Sequence, residues 1–299
     1  MTATPSDTGS PEEPTKLKQA LRRLSDSCEV AQSSFSTLPQ GRFDAAHEAF
    51  ERSSTQQREI LRGLSRVAIG TRPSGERLRV LSVGPGNGML DVPLIRSLAE
   101  EELAADYVGV DPSDVACRRF REAFESLNQR TVSLDLRCCG IDDFSGTESI
   151  DLIHAVHSLY YVPDAAATLD RLLTRLAPRG RMVVYKAPRG ALNALAEQFW
   201  RGDDAASIWF SEQLEPWLRR TGRVFEKVRI DASLDVSSVF STDDANGSLI
   251  LDFLLHTASS KLAKRVRSEV LACISAMSRR DGERLLAPHP VDAFVISPA

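Results

Sequence analysis

Leu78-Arg79-Val80-Leu81-Ser82-Val83-Gly84-Pro85-Gly86-Asn87-Gly88 decides the reading of this chain. Six residues of strand-like character run straight into three glycines at alternate positions, and from about Met89 to Glu102 the apolar residues recur at helical spacing. The unit is strand, glycine loop, helix. Such a loop lets the backbone approach a ligand, because side chains would block the approach and forbid the positive φ angles of the turn. The helix start behind it offers free amides and the positive end of the helix dipole. A turn that merely joins two elements is the plain alternative for a motif of this kind standing alone.

Downstream of the loop the alternation continues. A strand over Tyr107 to Val110 ends in Asp111, and a helix runs through Arg118, Phe120 and Phe124. Val132 to Arg137 reads as a third strand leading to Ile141-Asp142-Asp143-Phe144, and Ile150 to His154 as a fourth. A helix from Asp164 to Leu176 is expected to end at Ala177-Pro178-Arg179-Gly180, before a strand from Arg181 to Lys186. Helices are expected near 192–200, 211–220 and 249–267, with strands near 224–230 and 293–297. Steady β-α alternation predicts an α/β class, doubly wound, with a mostly parallel seven-stranded sheet of Rossmann-like type. Before the first strand, residues 1–15 read as a disordered tail and 16–72 as a helical cap, from the periodicity of Phe43, Ala46, Phe50, Ile60, Leu61, Leu64 and Val67.

Composition narrows the function classes. The formal net charge of −4 comes from interspersed signs without a basic stripe, so nucleic acid is not the expected partner. The sequence holds no run near the roughly 20 apolar residues of a membrane span and no signal-peptide pattern, so a cytoplasmic protein without a membrane partner is expected. Cys28, Cys117, Cys138, Cys139 and Cys273 show neither disulfide nor metal spacing and read as reduced packing thiols. No metal site is expected, and the chain reads as a monomer or weak homo-oligomer.

The spacing of the glycines bears on the ligand. Dinucleotide binders favour G-x-G-x-x-G, whereas Gly84, Gly86 and Gly88 form G-x-G-x-G, the commoner form in enzymes that bind S-adenosylmethionine. Asp111, closing the second strand, is placed to accept bonds from both ribose hydroxyls of an adenosine; it would equally serve as a helix N-cap, since Asp111-Pro112-Ser113 starts a helix well. Asp142 is placed to meet an adenine amino group with Ile141 against the ring, and an exposed loop aspartate is the other reading.

From Leu78 to Ala299 the sequence resembles the histamine N-methyltransferase family of class I S-adenosylmethionine-dependent methyltransferases. The resemblance rests on Val80 to Gly88, Val110-Asp111-Pro112-Ser113, Asp151-Leu152-Ile153-His154 running into Ser158-Leu159-Tyr160-Tyr161-Val162, Leu234-Asp235-Val236-Ser237, Asn246-Gly247 with Leu251 to Leu254, and Ala293-Phe294-Val295-Ile296. Many class I enzymes carry an acidic residue where this chain has Ser82, and the family resembles it in having serine. The resemblance implies S-adenosyl-L-methionine as cofactor, with contacts expected at Gly84, Pro85, Gly86, Asp111, Pro112, Ile141, Asp142 and Val156. It also implies a methyltransferase domain over 73–299, with a helical substrate-binding insertion at about 190–290.

At the substrate positions the chain departs from the family. The glutamate that grips the histamine amine falls on Gln56, the pocket glutamine on His157, and an asparagine near the C-terminus at or beside His289, while Tyr161 and Phe253 match aromatic wall positions. Losing a carboxylate at Gln56 argues against histamine itself, since an ammonium pairs with a buried carboxylate through a large term. A protonated amine has no lone pair, so a proton must leave before or during methyl transfer. His157 is the candidate base, and a histidine that only orients the substrate is an equal alternative. His154 and Tyr160 read as packed residues, and Trp200, Trp209 and Trp217 as core or surface packing. The expected activity is N-methylation of a small amine of biogenic-amine or indole-alkaloid type in secondary metabolism. O-methylation of a phenol, and a non-catalytic cofactor-binding protein, are the alternatives.

Overall fold

The computed structural model describes residues 13–31, 35, 37–71, 77–146, 149–160, 162–199, 209–241 and 243–298. The chain divides into two compact units, one of residues 1–55, 190–206 and 231–289, the other of 56–189, 207–230 and 290–299.

The second unit carries the large sheet. Its strands are β1 (Leu78–Val83), β2 (Ala105–Val110), β3 (Val132–Arg137), β4 (Ile150–Val156), β5 (Leu176–Lys186), β6 (Phe225–Ile230) and β10 (Val291–Ile296). Their order is β3-β2-β1-β4-β5-β10-β6, parallel throughout except for β10, which runs antiparallel to both β5 and β6. The strand order reverses at β1, which has parallel β2 on one side and parallel β4 on the other. Such a switch point opens a crevice at the carboxyl ends of the strands, which is where α/β sheets bind ligands.

The helices of this unit are α3 (Gln56–Gly70), α4 (Asp91–Glu100), α5 (Asp114–Glu125), α6 (Ala165–Leu173) and α8 (Ser211–Arg220). One face of the sheet buries Val80, Tyr107, Leu152, Val183 and Tyr185 with Ile60, Leu64 and Ala68 of α3. The other buries Leu81, Ile153, Met182, Val184 and Phe294 against Leu169, Leu172, Leu214 and Trp217. The apolar residues of α3 are spaced at i, i+4 and i+8, and the Tyr185 hydroxyl donates to the Ile60 carbonyl at 3.3 Å. This helix, which the sequence reading gave to the cap, therefore packs on the sheet. Residues 207–230, read as part of the late insertion, supply α8 and β6 to the same unit.

The first unit is built from α1 (Glu13–Ala31), α2 (Gln40–Ser53), α7 (Ala191–Ala196), α9 (Ala245–Leu255) and α10 (Lys264–Met277), with a small sheet in the order β7 (Ser233–Asp235), β9 (Arg284–Pro288), β8 (Arg279–Asp281). Its core joins Leu24 and Cys28 of α1, Phe50 of α2, Leu195, Leu251, Leu255, Val270 and Ile274. Helix α1 begins at Glu13, inside the segment expected as tail, most of which lies outside the described residues.

Two expected elements differ. The helix expected over 249–267 is two helices, α9 and α10, because His256 turns left-handed at φ 52° and a short 3-10 turn follows at Ser259–Lys261. The turn expected at 177–180 lies within β5, where the register against β4 shifts between Ile150 and Leu152. Gly180 permits that irregularity: a Cβ there would lie 2.8 Å from the Ile150 carbonyl oxygen. Among the described residues no helix is long and apolar enough to cross a membrane.

Candidate active site

Strand β1 ends at Val83, and the loop behind it holds Gly84, Gly86 and Gly88 at φ +66°, +58° and +77°. The two outer glycines are packing positions. A Cβ on Gly84 would lie 2.5 Å from Ser158 Cβ, and one on Gly88 would lie 2.3 Å from the Phe120 ring. Gly86 is different: a Cβ there meets nothing within 4 Å, so its outward face is open. Its amide donates to Oδ2 of Asp111 at 2.9 Å.

Asp111 is 8% exposed at the end of β2. Its Oδ1 accepts from the Ser113 amide at 2.9 Å, so each carboxylate oxygen holds one backbone donor and keeps further lone-pair capacity. The N-cap of α5 is Ser113, whose hydroxyl accepts from the Ala116 amide, and that frees Asp111 from the capping role open to it in the sequence. Pro112 between them is exposed. Across the strand ends, Ile141 is buried in a single 3-10 turn and the Asp142 side chain is exposed. Oδ1 of Asp142 accepts from Thr168 at 2.9 Å and from Arg171 at 2.6 Å, which fixes this loop against α6.

Beneath the loop, Tyr107 of β2 donates to Asp91 at 2.7 Å and lies 2.8 Å from Nε2 of His154 on β4. All three are buried, and burial holds the His154 imidazole below its usual pKa and so neutral. His154 is thus a packed, hydrogen-bonded residue, as its strand-end position suggested.

At the end of β4, Val156 is followed by His157 in the left-handed region at φ 52°. Its Nε2 is 2.7 Å from Oε1 of Gln56, which is 1% exposed at the start of α3, and its Nδ1 is 3.4 Å from the Tyr160 hydroxyl. The amide oxygen can only accept, so Nε2 carries the proton and Nδ1 receives the tyrosine. The His157 and Tyr160 rings stack at 6.0 Å and 11°. Tyr160 in turn accepts from the Ala187 amide at 2.7 Å, and its ring face carries Nζ of Lys186 at 3.7 Å. Gln56 and His157, both expected at the substrate pocket, are therefore bonded together, and Tyr160, read as core, belongs to the same group. Lys186 was not foreseen as a functional residue; the signal was a lysine closing an otherwise apolar strand run.

Of the remaining expected substrate residues, Phe253 and His289 belong to the first unit. Phe253 packs on Phe50 at 4.8 Å, His47 at 5.0 Å and Phe43 at 5.6 Å. His289 meets Phe50 edge-on at 5.0 Å and joins Ser54 through Nδ1 at 2.8 Å, and burial pushes its pKa down to about 4. Glu51, one turn beyond His47, lies 3.8 Å from its Nε2, and burial pushes its carboxyl up to about 7. Tyr161 and Trp200 lie outside the described residues. Trp209 and Trp217 pack together at 6.0 Å against the sheet core. Among the described residues no cluster of three metal-ligating side chains occurs.

Residues 52–226 match a methyltransferase-domain family, more than half of the chain. The chain belongs to that family. The methyltransferase is similar to histamine N-methyltransferase of Xenopus tropicalis, 25% identical over 208 residues that span 61% of this chain and 67% of the relative. It is also similar to ubiquinone biosynthesis O-methyltransferase of Nitrobacter winogradskyi, 30% identical over 152 residues, half of each chain. Among solved structures its fold matches the plantazolicin methyltransferase BpumL in complex with a triazolic desmethylPZN analog and SAH, with a TM-score of 0.51 and 12% identity over 95% of this chain and 99% of that one. The seven-stranded, mostly parallel sheet of this methyltransferase is the architecture expected from its sequence.

Proposed function

We propose that this methyltransferase uses S-adenosyl-L-methionine to methylate a small molecule, and that the acceptor is an amine. The observation that carries the cofactor is the open Gly86 beside a buried Asp111 with unused acceptor capacity on both oxygens. That pair suits the vicinal hydroxyls of a ribose. Ile141 and Val156 offer apolar contact, and Asp142 an acceptor for an adenine amino group. Ser158 Oγ, packed against Gly84, is buried without a hydrogen-bond partner among the described residues, as expected for a group that a ligand completes. The cofactor, when bound, supplies an electrophilic methyl group on a sulfonium. The protein then contributes chiefly proximity and alignment, worth about 7–11 kcal/mol in favourable cases.

The amine rests on the likeness to a histamine N-methyltransferase. His157, with both ring nitrogens in hydrogen bonds, orients its neighbours here and does not act as a free base. Methylation of a phenolic oxygen is the second reading. It is favoured by the O-methyltransferase relative and by a lysine at the end of β5 that can take up a proton.

The test is incubation with S-adenosylmethionine and a panel of amines and phenols, with products resolved by mass spectrometry. Methylated amines are expected. Products confined to phenols would replace the amine reading by the second one.

A further inference from the structure

Lys186 is the last residue of β5 and is 1% exposed. Its Nζ has no hydrogen-bond partner among the described residues, and it lies 3.7 Å from the centroid of the Tyr160 ring. A buried ammonium in this setting keeps only a cation–π contact in exchange for its hydration, a poor replacement. The obvious partner is spoken for. Asp292 faces Lys186 across the β5–β10 ladder, but its carboxylate is bound by Arg229 and, at 3.2 Å, by Lys227. On α8, Glu215 pairs with Arg219 and Lys227, and Glu212 accepts from the Arg189 amide. His157, the other titratable group beside Tyr160, has both nitrogens engaged.

The position is the one where an unpaired amine is useful. The residue before it, Tyr185, pairs in register with Val156, and the Tyr185 carbonyl accepts from the His157 amide, so Lys186 closes the strand neighbouring the His157 and Gln56 pair. Both strands end on the carboxyl edge of the sheet, beside the glycine loop of β1.

We propose that Lys186 is the proton acceptor of the methyl-transfer site, with its uncharged amine touching the methyl acceptor directly. The N–H bond of the acceptor's ammonium, or the O–H bond of a phenol, breaks, and the proton forms a new bond to Nζ. The electron pair so freed forms the bond to the methyl carbon, and the C–S bond breaks with its electron pair remaining on sulfur as a neutral thioether. Lysine ends as an ammonium and returns the proton to water. Burial supports this assignment, since it pushes the Lys186 pKa down to about 7, so a large fraction of the amine is uncharged at neutral pH. The assignment rests on the methyltransferase reading above and moves the base from His157 to Lys186.

Two readouts test it. Lysine Cε resonances of the full chain, carbon-13 labelled and loaded with S-adenosylhomocysteine, give the titration of each of its six lysines, with the Lys186→Met spectrum assigning the signal. The expected result is a Lys186 signal that titrates near 7 and moves when tyramine, which carries an amine and a phenol, is added. A signal that titrates near 10, or one untouched by saturating tyramine, overturns the proposal. With S-adenosylmethionine and tyramine, kcat/KM is expected to rise through pH 7 and level off. Lys186→Met is expected to lose 10²–10⁴-fold in kcat and the pH 7 limb together, with cofactor affinity unchanged. A variant with the wild-type rate and limb overturns the assignment. A wild type that fails to bind S-adenosylhomocysteine counts against the cofactor reading instead, and the lysine titration is still read on the apo protein.

Discussion

The Gly86 amide donates to Oδ2 of Asp111 at 2.9 Å, which ties the loop after β1 to the end of β2 beside the bond from the Gly84 amide to the Val110 carbonyl at 2.8 Å. The bond sets the loop's position relative to the carboxylate that is proposed to hold a ribose. Replacing Asp111 by Ala removes this tie and the two acceptor oxygens. Hydrogen bonds to a charged group contribute about 1.5–3 kcal/mol each, so affinity for S-adenosylhomocysteine is expected to fall at least tenfold. Calorimetry reads this directly, and unchanged affinity would remove Asp111 from the cofactor site.

Gly88 tests the packing side of the same loop. At φ +77°, with a Cβ 2.3 Å from the Phe120 ring, Gly88→Ala combines left-handed strain with overpacking, about 2–5 kcal/mol together. A fall in Tm of at least about 3 °C is expected from calorimetric melting. A variant as stable as wild type would mean that Phe120 moves aside without cost.

Glu51 makes a prediction about pH. Its folded pKa is raised from 4.5 to about 7, so between those values the folded protein keeps a proton that the unfolded chain has lost. Stability from this group is therefore greatest below pH 4.5 and falls as pH rises towards 7, by about 3 kcal/mol at most. Urea unfolding of wild type and Glu51→Gln across this range is expected to show the decline in wild type and its loss in the variant.

His289 titrates in the opposite sense. With its folded pKa lowered to about 4, the unfolded chain binds more protons between pH 4 and 6.5. Stability rises with pH across that window. His289→Gln, which preserves an acceptor for Ser54, is expected to flatten that rise in the same urea series.

Gln56 and His157 were each legible in the sequence as substrate positions, but their 2.7 Å contact was not, because 101 residues separate them. Strands β1 and β3 have the expected bounds because strand-like runs ending at a glycine loop or a polar turn leave little freedom. The break at His256 escaped because α9 and α10 both carry apolar residues, and the left-handed φ at His256 with the short 3-10 turn after it has no apolar signature. Strands β7, β8 and β9 are three to five residues long and mostly polar, too short to show a period. Lys186 and Glu51 were passed over for a related reason. A charged residue at a strand end or on a polar helix reads as solvated, and only packing across the chain shows Lys186 buried and Glu51 mostly covered.

The central claim is that the carboxyl edge of the sheet at Gly86 and Asp111 binds an adenosyl cofactor. Isothermal titration of the purified chain with S-adenosylhomocysteine tests it most directly, with Asp111→Ala as the paired variant. The account predicts one-to-one binding at micromolar concentration that weakens at least tenfold in the variant; no heat of binding in wild type at millimolar ligand would contradict it.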